Sequence, residues 1–173
     1  MQKIVIVAAG QFPRKEYPLY LLGSADKVVC CDSALTALEK RGIVPDVLIG
    51  DMDSVCGRAL KRYSGTIVKN PDQETNDLTK AFSYIIENKP EFGCIHIIAA
   101  TGRREDHTVG NMSLLVEYEK EYGLCSRGIK VDMVSDYSTI FAVDGSCSLH
   151  VGQGRSVSIF CMDPTVRIKS EGL

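Results

Sequence analysis

Pro45-Asp46-Val47-Leu48-Ile49-Gly50-Asp51-Met52-Asp53-Ser54 is the stretch on which the fold and chemistry of this chain turn. Val47-Leu48-Ile49 is a short apolar run of the kind buried on both faces of a parallel sheet. It breaks at Gly50 and delivers two carboxylates one residue apart, Asp51 and Asp53. Extended backbone would put both on one face, because strand side chains alternate with a period of two. Carboxylates so placed repel, and a divalent cation relieves the repulsion. Oxygen-only donors suit Mg²⁺ better than zinc. A plain acidic loop, with Asp53 capping a helix through Ser54-Val55, fits the same residues.

Similar units lie on either side. Residues 3–9 form a near-continuous apolar run ending at Gly10, followed by a helical segment from Tyr17 to Gly23. Lys27 to Cys31 reads as a second strand ending in Asp32, and Ser33 to Arg41 as a helix stopped by Gly42. After the opening stretch come a weak helix, Cys56 to Tyr63, and a short strand at Thr66-Ile67-Val68. Asn70-Pro71-Asp72-Gln73-Glu74-Thr75-Asn76-Asp77 leads into a helix with Leu78, Ala81, Phe82, Ile85 and Ile86 on one face. Cys94 to Ala100 is a fifth strand. Thr101-Gly102-Arg103-Arg104-Glu105-Asp106-His107 then opens a helix carrying Val109, Met112, Leu115 and Val116, and Ile129 to Val134 is a sixth strand. Strands alternating with helices at these lengths imply an α/β fold, a parallel sheet covered on both faces.

After Ser135 the pattern changes. Thr139 to Val143, Ser148 to Val151, Val157 to Phe160 and Val166 to Ile168 are strand-like pieces without helical period, the start of an all-β module. Four strands make an incomplete sandwich, which predicts that the protein continues past Leu173 or that another subunit completes the module.

The chain of 173 residues has a formal net charge of −2, so it lacks the basic excess that nucleic-acid or membrane-surface binding requires. No stretch is long enough to span a bilayer, and the apolar residues at the N-terminus are too few for a signal peptide. Seven cysteines without a Cys-x-x-Cys pair read as buried free thiols in a reducing, cytoplasmic setting. His96 and His150 read as core histidines. There is no Walker A loop, dinucleotide fingerprint or Ser/His/Asp arrangement.

Asp46, Asp51, Asp53, Asp72, Glu74 and Asp77 crowd into a short span that suits a cation and, through it, a phosphate. Asp32, the Asp51/Asp53 pair, the Asp72–Asp77 segment and the Thr101–His107 segment each follow an expected parallel strand. In an open α/β sheet that edge is where ligands bind. Together they favour a metal-assisted phosphate site. Asp77 fits as a third metal ligand and Lys80 as a charge near phosphate; helix-dipole complementarity and a surface ion pair would explain the same two residues. Arg103 and Arg104 precede a helix N-terminus suited to an anion. Asp106, with His107 and Asn111, either caps that helix or faces the site.

In these motifs the sequence resembles the thiamine pyrophosphokinase family. The family pattern has Ala-Asp-Gly-Gly, then Pro-(Asp/Glu) followed by Gly-Asp-x-Asp-Ser, then Asp-Gln-x-x-Thr-Asp, then Gly-Gly-Arg-x-Asp-His and an Asn. The counterparts are Cys31-Asp32-Ser33-Ala34, Pro45 to Ser54, Asp72 to Asp77, and Gly102 to His107 with Asn111. Gly172-Leu173 matches the start of a further family strand. Ser33 and Ala34 replace two glycines, Asn76 intervenes before Asp77, and Arg103 replaces a third glycine. The family's later Ser-x-Ser-Asn segment, which contributes to the thiamine site across a dimer, is absent.

The resemblance implies a Rossmann-like catalytic domain over 1–135 and a β-sandwich, thiamine-binding domain over 136–173, in a homodimer. It implies transfer of pyrophosphate from ATP to thiamine, with AMP released. Asp51, Asp53 and Asp77 would hold Mg²⁺, with Asp72 the alternative third ligand. Gln73, Thr75, Lys80, Arg104, Asp106, His107 and Asn111 would serve the nucleotide, and Asp32 would lie near the acceptor. Two other expectations compete: a haloacid-dehalogenase-type phosphohydrolase, with Asp51 as nucleophile, and a non-catalytic thiamine or nucleotide sensor.

Overall fold

In a computed structural model describing residues 2–88, 92–161 and 163–172, each apolar run of the first 134 residues becomes a strand. They are β1 (Gln2–Val7), β2 (Lys27–Cys31), β3 (Val47–Gly50), β4 (Thr66–Lys69), β5 (Phe92–Ile98) and β6 (Lys130–Val134), joined by a two-residue β7 (Thr139–Ile140). The order across the sheet is β4-β3-β2-β1-β5-β6-β7, parallel throughout except for β6 with β7. The helices are α1 (Glu16–Gly23), α2 (Leu35–Glu39, after a 3₁₀ turn at Asp32–Ala34), α3 (Gly57–Arg62), α4 (Asp77–Asn88) and α5 (Glu105–Tyr122).

Alternation along the strands divides the core in two. Ile4, Ile6, Val29, Val47 and Ile49 pack with Phe82 and Ile85 of α4 and Leu115 of α5. Val5, Val7, Val28 and Leu48 pack with Leu21, Leu35, Leu38 and Ala59 of α1, α2 and α3. Both faces of the parallel sheet are therefore covered, as near-continuous apolar strands require. The buried face of α5 differs from expectation. Val109 and Val116 are exposed, while Leu115, Tyr118 and Glu119 are buried. The reason is aromatic: Tyr118 stacks on Phe82 with ring centroids 3.9 Å apart, and that contact sets the rotation of α5.

The start of α4 accounts for the intervening Asn76. Its side-chain oxygen accepts the Thr79 N–H at 2.9 Å, an N-cap that satisfies one of the helix's free donors. At the other turn of interest, Gly10 donates its N–H to the Ala99 carbonyl, and a Cβ there would lie 2.5 Å from that oxygen. Glycine thus lets the loop after β1 lie against the loop after β5. These two strands flank the point where the strand order reverses, beside which open α/β sheets bind ligands.

Four expectations need correction. Only Cys30 and Cys31 are buried; Cys94 is half-buried and Cys56, Cys125, Cys147 and Cys161 are exposed. His150 is exposed, whereas His96 is buried and pairs through Nδ1 with the buried Asp132 on the adjacent strand at 2.5 Å. Asp46 serves the sheet, because its carboxylate accepts the Val28 N–H at 2.7 Å at the amino end of β3. Of the four expected late strands, only Thr139–Ile140 pairs; the described residues beyond it form no strand, and Phe160 is 72% exposed. A strand needs a ladder partner for its backbone groups, and these pieces have none among the described residues. Leu173 lies outside the described residues. None of the described helices is long and apolar enough to cross a membrane.

Candidate active site

The turn after β3 is not the extended segment that alternation assumes. Met52 has φ +71°, a left-handed conformation uncommon for a non-glycine residue, so Asp51 and Asp53 are carried by a bend. The Asp51 carboxylate closes that bend by accepting the Asp53 N–H at 3.0 Å. No helix runs through Ser54-Val55, so Asp53 caps none; α3 begins later, with Cys56 at its N-cap. Backbone donation from Asp53, then the Gln73 amide, holds the Asp51 carboxyl below the usual carboxylate range. The Gln73 Nε2 to Asp51 Oδ2 bond, 3.3 Å long, ties the loop after β4 to the loop after β3.

Asp32 reaches the same place from β2 and is 1% exposed. Its Oδ2 accepts the Met52 N–H at 3.1 Å, while its Oδ1 is buried without a hydrogen-bond partner. Burial, then the nearby charge of Asp77, pushes its pKa up to about 6. Gly50 makes room for this side chain: at φ +152° its own Cβ would stand 2.7 Å from Asp32 Cγ. The Gly before the acidic pair is visible in the sequence, but its steric dependence on Asp32 is not.

On α4, Asp77 accepts from Lys80 Nζ at 3.3 Å, and the lysine side chain is only 4% exposed. The pair thus joins a buried lysine to a half-buried carboxylate and is not a surface ion pair. Asp72 organises its own loop, accepting the Thr75 hydroxyl at 2.5 Å and the Glu74 N–H at 2.9 Å. Asp51 and Gln73 are therefore linked across the loops after β3 and β4, Asp32 is tied to the same bend through the Met52 N–H, and the Asp77–Lys80 pair stands at the start of α4, which follows β4.

The α5 residues are not drawn into that group by the hydrogen bonds of the structure. Arg104 pairs with Asp106, both exposed; Arg104 itself is the N-cap of α5, with no side-chain cap bond, so Asp106 does not cap the helix but sits in its first turn and accepts the His107 N–H at 2.9 Å. That pairing holds the Asp106 carboxyl low, at about 2. His107 is exposed. Arg103 donates to the Ala9 carbonyl at 3.0 Å, and Asn111 to the Ala100 carbonyl at 2.8 Å, which fixes α5 to the end of β5. A cavity of about 380 Å³ lies elsewhere, at the amino end of β6, lined by Leu115, Leu124, Phe141 and Leu149. None of Asp32, Asp51, Asp53, Asp72 and Asp77 lines it.

Do these residues fit a divalent cation? The donors are hard oxygens, and the unpartnered Asp32 Oδ1 is a buried acceptor beside Asp51 and Asp77. Among the described residues, no group of three or more His, Cys, Asp or Glu converges to enclose a metal ion. Mg²⁺ is commonly held by one or two carboxylates, with water and substrate phosphate oxygens completing the octahedron, and the hard oxygens of Asp51 and Asp77 fit that manner of binding.

The raised Asp32 pKa has a measurable consequence. Its folded-state value lies above the ordinary carboxylate value, so this group favours the fold below about pH 4 and loses that contribution as pH rises through about 6. Asp32→Asn is expected to remove this slope and to stabilise the EDTA-treated protein at pH 7 by on the order of 1–2 kcal/mol, after allowance for screening. Thermal unfolding of both proteins from pH 4 to pH 7.5 measures the difference; parallel curves would disprove it.

Comparison with known proteins identifies the family of the chain. The family model described as "Thiamin pyrophosphokinase, catalytic domain" matches residues 19–125. "Thiamine pyrophosphokinase 1" of Oryza sativa subsp. japonica is 31% identical over 121 residues, covering 65% of this chain and 43% of that protein. "Thiamine pyrophosphokinase" of Bacillus subtilis (strain 168) is 31% identical over 122 residues, covering 66% and 55%. The chain thus spans about half the length of these curated relatives. In fold it is similar to a thiamin pyrophosphokinase from Candida albicans, with TM-score 0.66 at 17% identity, over 81% of this chain and 60% of that one. With the family model matching well over half of its length, the chain belongs to the thiamin pyrophosphokinase family through that family's catalytic domain.

Proposed function

We propose that this chain carries the catalytic part of a thiamine pyrophosphokinase, transferring the β,γ-pyrophosphate of ATP to the hydroxyl of thiamine. One observation supports the reading above the rest. Asp32 and the Asp51 bend it supports, together with the pair of Asp77 and buried Lys80, lie at the carboxyl ends of β2, β3 and β4 within the segment that matches the family's catalytic domain.

In this reading one or two of Asp51, Asp53 and Asp77 would bind Mg²⁺ directly and the rest would act through its water and phosphate ligands, and the ion when bound would neutralise charge on the phosphates. Lys80, Gln73 and Arg104 contact the triphosphate, Thr75 shapes the loop through Asp72, and Asp106, His107 and Asn111 organise the nucleotide loop. Arg104 has to release Asp106 to do so, a small cost for an exposed pair. Asp32 faces the acceptor. The thiamine hydroxyl oxygen forms a bond to the β-phosphorus and gives up its proton to water, as the bond from that phosphorus to the oxygen bridging the α-phosphate breaks and AMP departs with that oxygen. Transfer of this kind depends chiefly on positioning and charge stabilisation, which these polar loops supply. The same reading takes residues 1–135 as a Rossmann-like catalytic domain and 136–173 as part of a β-sandwich domain, in a cytoplasmic homodimer whose partner completes the thiamine site.

Incubation of the full protein with Mg²⁺, ATP and thiamine, followed by mass spectrometry, tests the reaction. Thiamine diphosphate and AMP are the expected products. Free phosphate from ATP would indicate a hydrolase, and unchanged ATP a sensor; either would overturn the proposal.

A further inference from the structure

An ammonium group is expensive to bury unless it is paired, and Lys80 is the one lysine found buried among the described residues. It lies in the first turn of α4, with its Nζ 3.3 Å from Asp77 Oδ1. Its charge also reaches two other loops. Asp51, lowered first by the Asp53 N–H and the Gln73 amide, is lowered further by Lys80. Asp72, lowered first by the Thr75 hydroxyl and the Glu74 N–H, is lowered by Lys80 as well. Asp32, by contrast, is burdened by burial and by the charge of Asp77, with one oxygen unpartnered. A single buried ammonium is therefore paired with Asp77 and acts on two further carboxylates, Asp51 and Asp72, in the loops after β3 and β4.

We infer that Lys80 is a tethered counter-cation, a positioning residue that holds the carboxylate cluster together before a divalent cation arrives and so weakens the site's affinity for that cation. The inference rests on the pyrophosphokinase reading in taking this cluster as the cation-binding end. Lysine suits the task because its ammonium is a compact charge on a flexible stem, able to move from carboxylate to phosphate without losing its partner type. A lysine serving only to bind phosphate would gain nothing from being turned inward onto Asp77. One serving only to pack α4 would not need its charge.

The test is cation binding by the full protein without nucleotide. Lys80→Met removes the charge at similar volume; Lys80→Arg keeps it. After EDTA treatment, Lys80→Met is expected to melt several degrees below wild type, and Mg²⁺ is expected to restore most of that loss. Its Mn²⁺ affinity, read by electron paramagnetic resonance, should exceed that of wild type by about fivefold or more, since one repelling charge is gone. Lys80→Arg should stay near wild type in both measurements. Equal Mn²⁺ affinities, or a loss of stability that Mg²⁺ does not relieve, would overturn the inference. If Lys80→Met fails to fold in EDTA, Lys80→Gln is measured in its place. Recovery of a folded Lys80→Gln protein only when Mg²⁺ is present supports the inference, and failure to fold with Mg²⁺ overturns it. Turnover of ATP and thiamine by wild type is a separate readout: its absence would sink the pyrophosphokinase reading, while the metal measurements still decide on Lys80.

Discussion

Asp51→Asn is expected to lower thiamine diphosphate formation by at least about a hundredfold while the unfolding midpoint stays within a few degrees of wild type. The two halves of that result come from different atoms. Asparagine keeps an oxygen at the Oδ1 position, so the Asp53 N–H that closes the bend still has its acceptor. The bond that must rearrange is the one from Gln73 Nε2 to Oδ2, and the Gln73 amide can turn over to present its oxygen instead. What the substitution cannot keep is the negative charge that a cation at the phosphate end requires. A coupled assay for AMP, run beside a circular-dichroism melt, separates the effects. A rate near wild type in a folded protein would remove Asp51 from the metal assignment.

The parts of the molecule that could be read from the sequence are those governed by local pattern. Residues 3–9, Lys27–Cys31 and Val47–Ile49 are apolar almost without interruption, and only a strand covered on both faces makes use of such a run. The amphipathic face of α4 is equally plain, and in a parallel sheet the acidic strand ends have to share an edge. Other features depend on contacts distant in sequence. Nothing near Met52 announces a left-handed residue, since neither Gly nor Asn stands there. The burial of Lys80 follows from how α4 lies against the sheet, and the rotation of α5 from a Tyr118–Phe82 stack between two helices. The late strand-like pieces fail for a different reason. Their alternation is genuine, with exposed Val151, Ile159 and Val166 among polar neighbours, but alternation specifies a face and not the ladder that must pair with it.

Gly50→Ala is expected to be the most damaging single-methyl change in the site, costing about 2–5 kcal/mol of stability as well as activity. Two physical terms add. The backbone at φ +152° is a conformation that side chains other than glycine's rarely tolerate, and the new Cβ would lie 2.7 Å from Cγ, 2.8 Å from Cβ and 2.9 Å from Oδ2 of Asp32. Asp32 has little freedom to withdraw, because it is 1% exposed and its Oδ2 accepts the Met52 N–H of the acidic bend itself. The ends of β2 and β3 must therefore separate, and Asp51 moves with β3 away from Asp77 on α4. Activity and stability should fall together in this variant, unlike Asp51→Asn, where only activity falls. Urea unfolding gives the stability term, and the double variant Gly50→Ala/Asp32→Ala divides it. Truncating Asp32 removes the atoms beyond its Cβ and should restore part of the loss, leaving the backbone term and the remaining contact at 2.8 Å. A double variant no more stable than Gly50→Ala alone would confine the cost to the backbone and the contact with Asp32 Cβ, and the Asp32 carboxylate would then not be the group that requires glycine at this position.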